Sequence, residues 1–375
     1  MRSIKQIKDI KGKTVMVRVD FNLPIKGGTV ADDFRIKKTL PTIDFLQKKG
    51  AKIILITHLG KGGETAAPVA DALDKFTKIT FIPEITGEAV IEAVKKMKGG
   101  DVILLENLRN DPGEKGGSAD FAKKLAALAD IYVNESFPVD HREDASIVLL
   151  PKLLPSYAGF QLEEEIKNLS QAFENPKRPF LFILGGAKFA TKLPLIKKYL
   201  DLADHVFVGG ALSNDFLKAR GYEVGKSLKS DEDFGIEELL QNKKLIAPID
   251  VLTQSDGKLI NKKVSQVGKD DIILDVGEET LSTLEPFIKE AELILWNGPL
   301  GKYEAGGGGT TKKALQLVAD SKAKSIIGGG DLVSVLSSLE PKSYKLKPNL
   351  FVSTGGGATL DFLANGTLPG IEALK

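Results

Sequence analysis

Four apolar runs in the second half of the chain each stop at a cluster of glycines. They are FLFILGGAK (Phe180 to Lys188), VFVGGA (Val206 to Ala211), SIIGGGD (Ser325 to Asp331) and FVSTGGGA (Phe351 to Ala358). Each run reads as a buried parallel strand, and each glycine cluster opens the segment after it, which reads as helix. Glycine lets a ligand approach the backbone, and free N–H groups at a helix start attract anions. Ligands of open parallel sheets gather at the carboxyl ends of the strands. Four such ends in one sheet form a cradle for a polyphosphate such as a nucleotide.

The strand ends of the first half carry a different lining. VMVRVDFN ends at Asp20, Phe21 and Asn22, and Arg35 opens the helix that follows. IILITHLGK ends at His58 and Lys61, VILLENLR at Glu106, Asn107 and Arg109, and IYVNESF is followed by His141 and Arg142. Guanidinium forks grip carboxylate and phosphate, so these ends suit a small, highly anionic ligand. A nucleotide on one half and a small anion on the other is the layout of a phosphoryl-transfer enzyme.

Taken singly, each signal has a plainer reading. One GG at a strand end is turn chemistry, and one Arg after a strand is a solvated residue. Lys188 and Lys192, four apart on an expected helix, read by default as a solvated face. The combination of four glycine ends and four cationic ends outweighs those readings. GYEVGKS (Gly221 to Ser227) is one residue short of a Walker P-loop and does not follow a strand. No strand-linked GxGxxG with a later ribose-binding acid is evident, which argues against a dinucleotide enzyme such as an oxidoreductase.

These residues need a scaffold, and the alternation of strand and helix patterns predicts α/β architecture with mostly parallel sheets. Strands are expected near 14–20, 52–57, 80–82, 101–106, 130–133 and 146–150, then near 180–184, 205–208, 244–249, 272–275, 292–296, 325–327 and 349–352. Leu162, Ile166, Leu169 and Phe173 recur at helical spacing before Asn175-Pro176, which predicts a joining helix of about four turns.

With 375 residues, two domains are expected. A net charge of +2 gives no ground for nucleic-acid binding. The absence of cysteine excludes disulfides and thiolate chemistry, and three scattered histidines do not make a zinc site. No apolar stretch is long enough to span a membrane, and the start lacks the apolar middle of a signal peptide. A cytoplasmic enzyme is expected.

RVDFNLP, DDFRI, HLGK, ENLR, HREDAS, GGAKFATK, WNGPLGKYE, GGGD, STGGGA and the late LPG run in that order along nearly the whole chain. Together they closely resemble the phosphoglycerate kinase family. The resemblance implies two Rossmann-like, doubly wound α/β domains joined by a hinge helix, with a cleft between them. Residues 1–157 with 361–375 would form the phosphoglycerate-binding domain, 158–177 the hinge helix and 178–360 the nucleotide-binding domain. It places the phosphoglycerate on Asp20, Phe21, Asn22, Arg35, His58, Leu59, Gly60, Lys61, Arg109 and Arg142. It places Mg²⁺ with ATP or ADP on Gly186, Ala187, Lys188, Lys192, Asn297, Pro299, Glu304, Gly329, Gly330, Asp331, Leu332, Gly356 and Gly357, with Glu304 at the ribose and Asp331 on the metal. Arg35, Lys188 and Lys192 would be catalytic. A monomer is the family expectation.

Four positions and one segment depart from the family pattern: Lys61 stands for a usual Arg, Asp144 for a second His, Thr191 for Asp, Leu332 for Thr, and Gly306 to Gly309 for a bulkier segment. The reaction implied is reversible phosphoryl transfer between 1,3-bisphosphoglycerate and ADP. The alternative, motivated by those departures, is a catalytically impaired descendant that binds nucleotide as a partner protein.

Overall fold

The computed structural model describes every residue except 233 and 340–346, and every side chain except those of 304, 337 and 338 as well. Two compact units emerge. Unit 1 is Met1–Lys167 with Thr367–Lys375, and unit 2 is Asn168–Gly366.

Unit 1 is built on six parallel strands: β1 Thr14–Val19, β2 Lys52–Ile56, β3 Thr80–Ile82, β4 Val102–Leu105, β5 Ile131–Glu135 and β6 Ser156–Ala158, in the order β3-β4-β2-β1-β5-β6. Every side chain of β1, β4 and β5 is buried, as expected for strands covered on both faces. Val15, Val17, Ile53, Leu55, Leu104 and Val133 form the centre of the core. The chain runs to one side of β1 for β2 to β4 and to the other side for β5 and β6. The strand order therefore reverses between β1 and β5, the place where such sheets bind ligands. Helix α1, Phe34–Lys48, follows the first strand, and α2, Phe160–Ser170, follows the last.

Unit 2 repeats the plan. Its strands are β7 Phe180–Leu184, β8 His205–Val208, β9 Leu245–Ile246, β13 Leu293–Asn297, β14 Lys324–Gly328 and β15 Leu350–Val352, all parallel, in the order β9-β8-β7-β13-β14-β15. Here the order reverses between β7 and β13. The helices opened by the glycine ends are α3 Phe189–Leu202, α4 Ala211–Ala219, α6 Gly330–Ser338 and α7 Gly357–Asn365, with α5 Gly309–Asp320 before β14.

Two expectations are corrected. Residues 146–150 are not a strand: Ala145–Val148 is helical, Leu150–Lys152 is a 3-10 turn, and the edge strand is β6, pairing Tyr132 with Ser156. A short apolar run carries no period that separates helix from strand. The stretch 244–249 is strand only at β9. The chain then enters a separate antiparallel sheet of β10 Asp250–Ser255, β11 Lys258–Lys263 and β12 Ile272–Val276. Its hairpin turns at Asp256-Gly257, where both residues have positive φ (48° and 76°), the turn chemistry of an Asp-Gly pair.

Candidate functional site

In unit 1 the sequence leaves β1 at Asp20, and its buried carboxylate is where the site begins. Asp20 Oδ2 accepts a hydrogen bond from Arg35 Nη1 at 2.6 Å, and the same nitrogen donates to the Asn22 carbonyl at 3.2 Å. Arg35 lies on the first turn of α1, so one acid at the end of β1 sets the guanidinium's direction. The Asn22 side chain accepts from the Gly60 N–H at 3.0 Å, and Phe21 N–H donates to Thr57 Oγ1 at 2.9 Å. These bonds tie the loop after β1 to the loop after β2.

His58 is almost wholly buried beside this pair. Its Nδ1 lies 3.3 Å from Arg18 Nη2 and 3.8 Å from Asp20 Oδ1. Burial, reinforced by Arg18, Arg109, Arg142 and Arg35, drives its pKa far below the ordinary value, so the imidazole is neutral. Four guanidinium groups thus bear on one neutral ring. Arg18, fully buried within β1, donates from Nε to Ser146 Oγ at 2.9 Å. Glu114, whose pKa burial raises, lies 3.7 Å from Arg18 Nη2. Arg109 donates to the Gly60 carbonyl and stands 3.6 Å from Asp144 Oδ2. Burial and Arg142 lower the Arg109 pKa, while Asp144 acts the other way. Arg142 and Lys61 are exposed, and the Lys61 carbonyl accepts from Lys115. Phe21 and Leu59 are buried.

In unit 2 the glycine ends enclose a cavity of about 960 Å³. Gly185 N–H donates to the Asn297 carbonyl and Gly186 N–H to the Pro299 carbonyl, both at 2.9 Å, which joins the ends of β7 and β13. A Cβ on Gly185 would meet the Pro299 carbonyl oxygen at 2.1 Å, so only glycine permits this approach. Lys192, on α3, folds back to donate to the Gly185 carbonyl. Its burial pushes its pKa down to about 8, with Asp331 opposing and Lys188 assisting. Asp331 lies in the first turn of α6 on the cavity wall.

Of the residues expected here, Gly186, Ala187, Lys188, Lys192, Asn297, Pro299, Gly329, Gly330, Asp331, Gly356 and Gly357 line the cavity. Leu332 is fully buried and is not among the lining residues. Glu304 falls in the 3-10 turn Tyr303–Ala305, and its side chain lies outside the described residues.

A family model described as phosphoglycerate kinase matches residues 4–366. The chain belongs to the phosphoglycerate kinase family. Curated proteins named phosphoglycerate kinase are similar to it throughout. One from Wolbachia sp. subsp. Drosophila simulans is 40% identical and one from Thermosipho africanus 41%, each aligned over 98% of this chain and 97% and 96% of the relative. The solved phosphoglycerate kinase of Pyrococcus horikoshii superposes with a TM-score of 0.87 at 29% identity, covering 100% of this chain and 98% of that one. That of Coxiella burnetii gives 0.84 at 34% identity, over 99% and 98%. Membership makes the chain a phosphotransferase with a carboxyl group as acceptor and ATP or ADP as co-substrate. The binding-only alternative has no support in these likenesses.

Several site residues gave no signal in the sequence. Arg18 sits inside an apolar strand, and its partner Ser146 is 128 positions away. The apolar wall of the cavity comes from Leu228, Ile272, Leu274 and Leu360, on three separate segments, and Asn214 joins it from α4.

Proposed function

We propose that this phosphoglycerate kinase family member catalyses reversible phosphoryl transfer between 1,3-bisphosphoglycerate and ADP, with the phosphoglycerate held by unit 1 and the nucleotide by unit 2. The observation that carries this reading is the convergence of Arg18, Arg35, Arg109 and Arg142 on neutral His58. Such a field selects a small polyanion.

In the ATP-consuming direction the nucleophile is the acceptor's carboxylate, ionised at neutral pH. No proton need be removed, and His58 is not poised as a base, since it is buried and held by Arg18 and Asp20. Rate enhancement then rests on alignment and on charge stabilisation. Arg35, steered by Asp20, orients the acceptor's carboxylate or the moving phosphoryl group. Lys192, Lys188 and the N–H groups after Gly186, Gly329 and Gly356 hold the nucleotide's phosphates. Asn22, Gly60 and Lys61 close the acceptor pocket, and Pro299 and Glu304 flank the nucleoside. We further propose that α2 and the residues around it act as a hinge.

The donor set fits Mg²⁺ carried in by the nucleotide. Among the described residues no group of three or more His, Cys, Asp or Glu could hold a metal alone. Asp331 would supply a carboxylate of the one or two that Mg²⁺ commonly takes beside phosphates and water. When bound, the ion neutralises charge on the phosphate oxygens. The reading also includes a cytoplasmic monomer that binds neither nucleic acid nor membrane. No helix of the described residues is long and apolar enough to cross a bilayer.

A coupled assay for 3-phosphoglycerate-dependent formation of ADP from ATP tests the reaction. Turnover should need Mg²⁺, and ATP hydrolysis without acceptor should be slow. Folded, nucleotide-bound protein lacking acceptor-dependent turnover would overturn the reading. Arg142→Ala should weaken 3-phosphoglycerate binding and leave ADP binding nearly unchanged. Calorimetric titrations showing the opposite pattern would exclude the assignment of the two ligands to the two units.

A further inference from the structure

Four side chains from separate parts of unit 1 are bonded in series through its interior. Arg18, on β1, donates from Nε to Ser146 Oγ at 2.9 Å. A hydroxyl has one proton, and Ser146 spends it on Glu114 Oε1 at 2.6 Å, while its backbone N–H donates to Glu114 Oε2 at 3.0 Å. Arg18 Nη1 donates to the Val19 carbonyl at 2.6 Å. With Nε and Nη1 so tied, Nη2 stands against His58 Nδ1 at 3.3 Å, and Glu114 Oε1 lies 3.7 Å from the same nitrogen. Arg18, Ser146 and Glu114 are all fully buried, so water does not compete for these bonds.

A guanidinium has donors and no acceptor. A bond between Arg18 Nη2 and His58 Nδ1 therefore uses the lone pair on Nδ1, and a neutral ring then carries its proton on Nε2. Asp20 Oδ1 pulls the other way, because a carboxylate favours an N–H on Nδ1, but at 3.8 Å it is beyond hydrogen-bond range. The ring is neutral because burial and the surrounding guanidinium groups hold its pKa far down. His58 Nε2 has no hydrogen-bond partner among the described residues, and it is not one of the side-chain atoms sealed from water. It is the nitrogen of the ring left to meet a ligand.

We propose that Glu114 is a positioning residue for the reaction: through Ser146 and Arg18 it fixes His58 as the Nε2–H tautomer, so that the ring presents a donor and not a lone pair to the anionic acceptor. This rests on the reading of unit 1 as the phosphoglycerate site. Glu114 is buried and acts only through its neighbours. Without its carboxylate the Ser146 proton has no fixed direction, and Arg18 loses the counter-ion that holds it. Nδ1 then passes to Asp20, the proton moves to Nδ1, and the lone pair on Nε2 faces an anion.

Nitrogen-15 NMR of the ligand-free full chain, labelled at histidine, reads the tautomer directly. The chain has three histidines, and His58→Gln identifies the signal. At neutral pH His58 should carry its proton on Nε2 alone. A proton on Nδ1, or on both nitrogens, would overturn the proposal before any variant is made. Glu114→Gln should shift His58 towards the Nδ1–H form and weaken 3-phosphoglycerate binding by roughly tenfold, with ADP binding unchanged. Ser146→Ala, which breaks the series at its next link, should do the same. Glu114→Asp keeps a carboxylate and should keep the tautomer even where thermal stability falls. A folded Glu114→Gln chain that lacks either effect would overturn the proposal. So would an equal tautomer shift in Glu114→Asp, since packing and not the carboxylate would then be the cause. An Nε2–H ring in a folded chain without affinity for 3-phosphoglycerate would instead remove the reading of unit 1 as the phosphoglycerate site.

Discussion

Asp144 occupies the N-cap position of the helix Ala145–Val148 yet makes no side-chain cap bond, and its carboxylate faces Arg109 instead. An acid thus stands inside a cluster of arginines. Lys61 adds to this, as an exposed ammonium offers no planar fork. Lys61→Arg combined with Asp144→His should tighten 3-phosphoglycerate binding by on the order of 1–2 kcal/mol, roughly tenfold. Arg109 would lose its counter-ion, so the free protein should lose about 1–3 kcal/mol of stability. Dissociation constants for the wild type, both single variants and the double variant at two salt concentrations, with thermal unfolding beside them, check both parts. An unimproved double variant would mean that neighbouring cations have already compensated. Lys192 makes a pH prediction. Its pKa is about 8 rather than the ordinary 10.5, so its charge is present below pH 8 and lost above it. ADP affinity should therefore fall as pH rises past 8. Binding above that pH should take up a proton, because the phosphates favour the ammonium. Calorimetry in buffers of different ionisation enthalpy measures that uptake, and Lys192→Met should abolish it.

The helix α2 depends on a carboxylate from a different element. Glu135, at the end of β5, accepts from Thr42 Oγ1 at 2.5 Å, from Gln161 N–H at 3.1 Å and from Leu162 N–H at 3.4 Å. It so pairs N–H groups that the first turn of any helix leaves free. Burial raises its pKa to about 7. The native state then keeps a proton that the unfolded chain releases between the ordinary value of 4.5 and about 7, so this group makes stability fall as pH rises across that window. Glu135→Gln should destabilise unit 1 by about 1–3 kcal/mol. The gap to wild type should narrow from pH 4.5 to pH 7, the window set by the Glu135 shift. Chemical denaturation at several pH values tests this, and a gap that widens would contradict it. Legibility in the sequence followed the same division between local and distant causes. The strands β7, β8, β14 and β15 were readable because an apolar run and a glycine stop are local signals. The hairpin of β10 and β11 was missed although Asp256-Gly257 announces it. The short helix after Asp144 reads as a strand in sequence, since the apolar run Ile147 to Leu150 is too short to show a period. Arg35 and Asp331 could be named from the segments that follow strand ends, and Lys192 only through the family resemblance. Arg18, Glu114 and Asn214 could not, because what makes them notable is burial and partners that only the folded chain supplies.

At the scale of the whole molecule, unit 1 is discontinuous. Thr367–Lys375 belongs to it although all of unit 2 intervenes in sequence. Leu368, Ile371 and Leu374 are buried, and Gly370 N–H donates to the Asp140 carbonyl at 2.9 Å. The packing there is close, since a Cβ on Gly370 would meet Asp140 Oδ1 at 2.5 Å. Deleting 367–375 exposes what those three side chains cover. Each buried residue of this kind contributes about 1.5–3 kcal/mol, so unit 1 should unfold at markedly lower temperature. ADP affinity should persist, because every residue lining the unit 2 cavity precedes the cut. Differential scanning calorimetry with and without ADP would separate the two, and a truncated chain as stable as the whole would contradict the assignment. The same discontinuity bears on synthesis. Domains generally fold as they emerge from the ribosome, the N-terminal one first. Here the first unit to begin is the last that can be sealed. While 168–366 is being made, the surface around Asp140 and Ile147 that Gly370 will cover stays open on the nascent chain. Until residues 367–375 arrive, unit 1 would therefore still offer an apolar patch to chaperones.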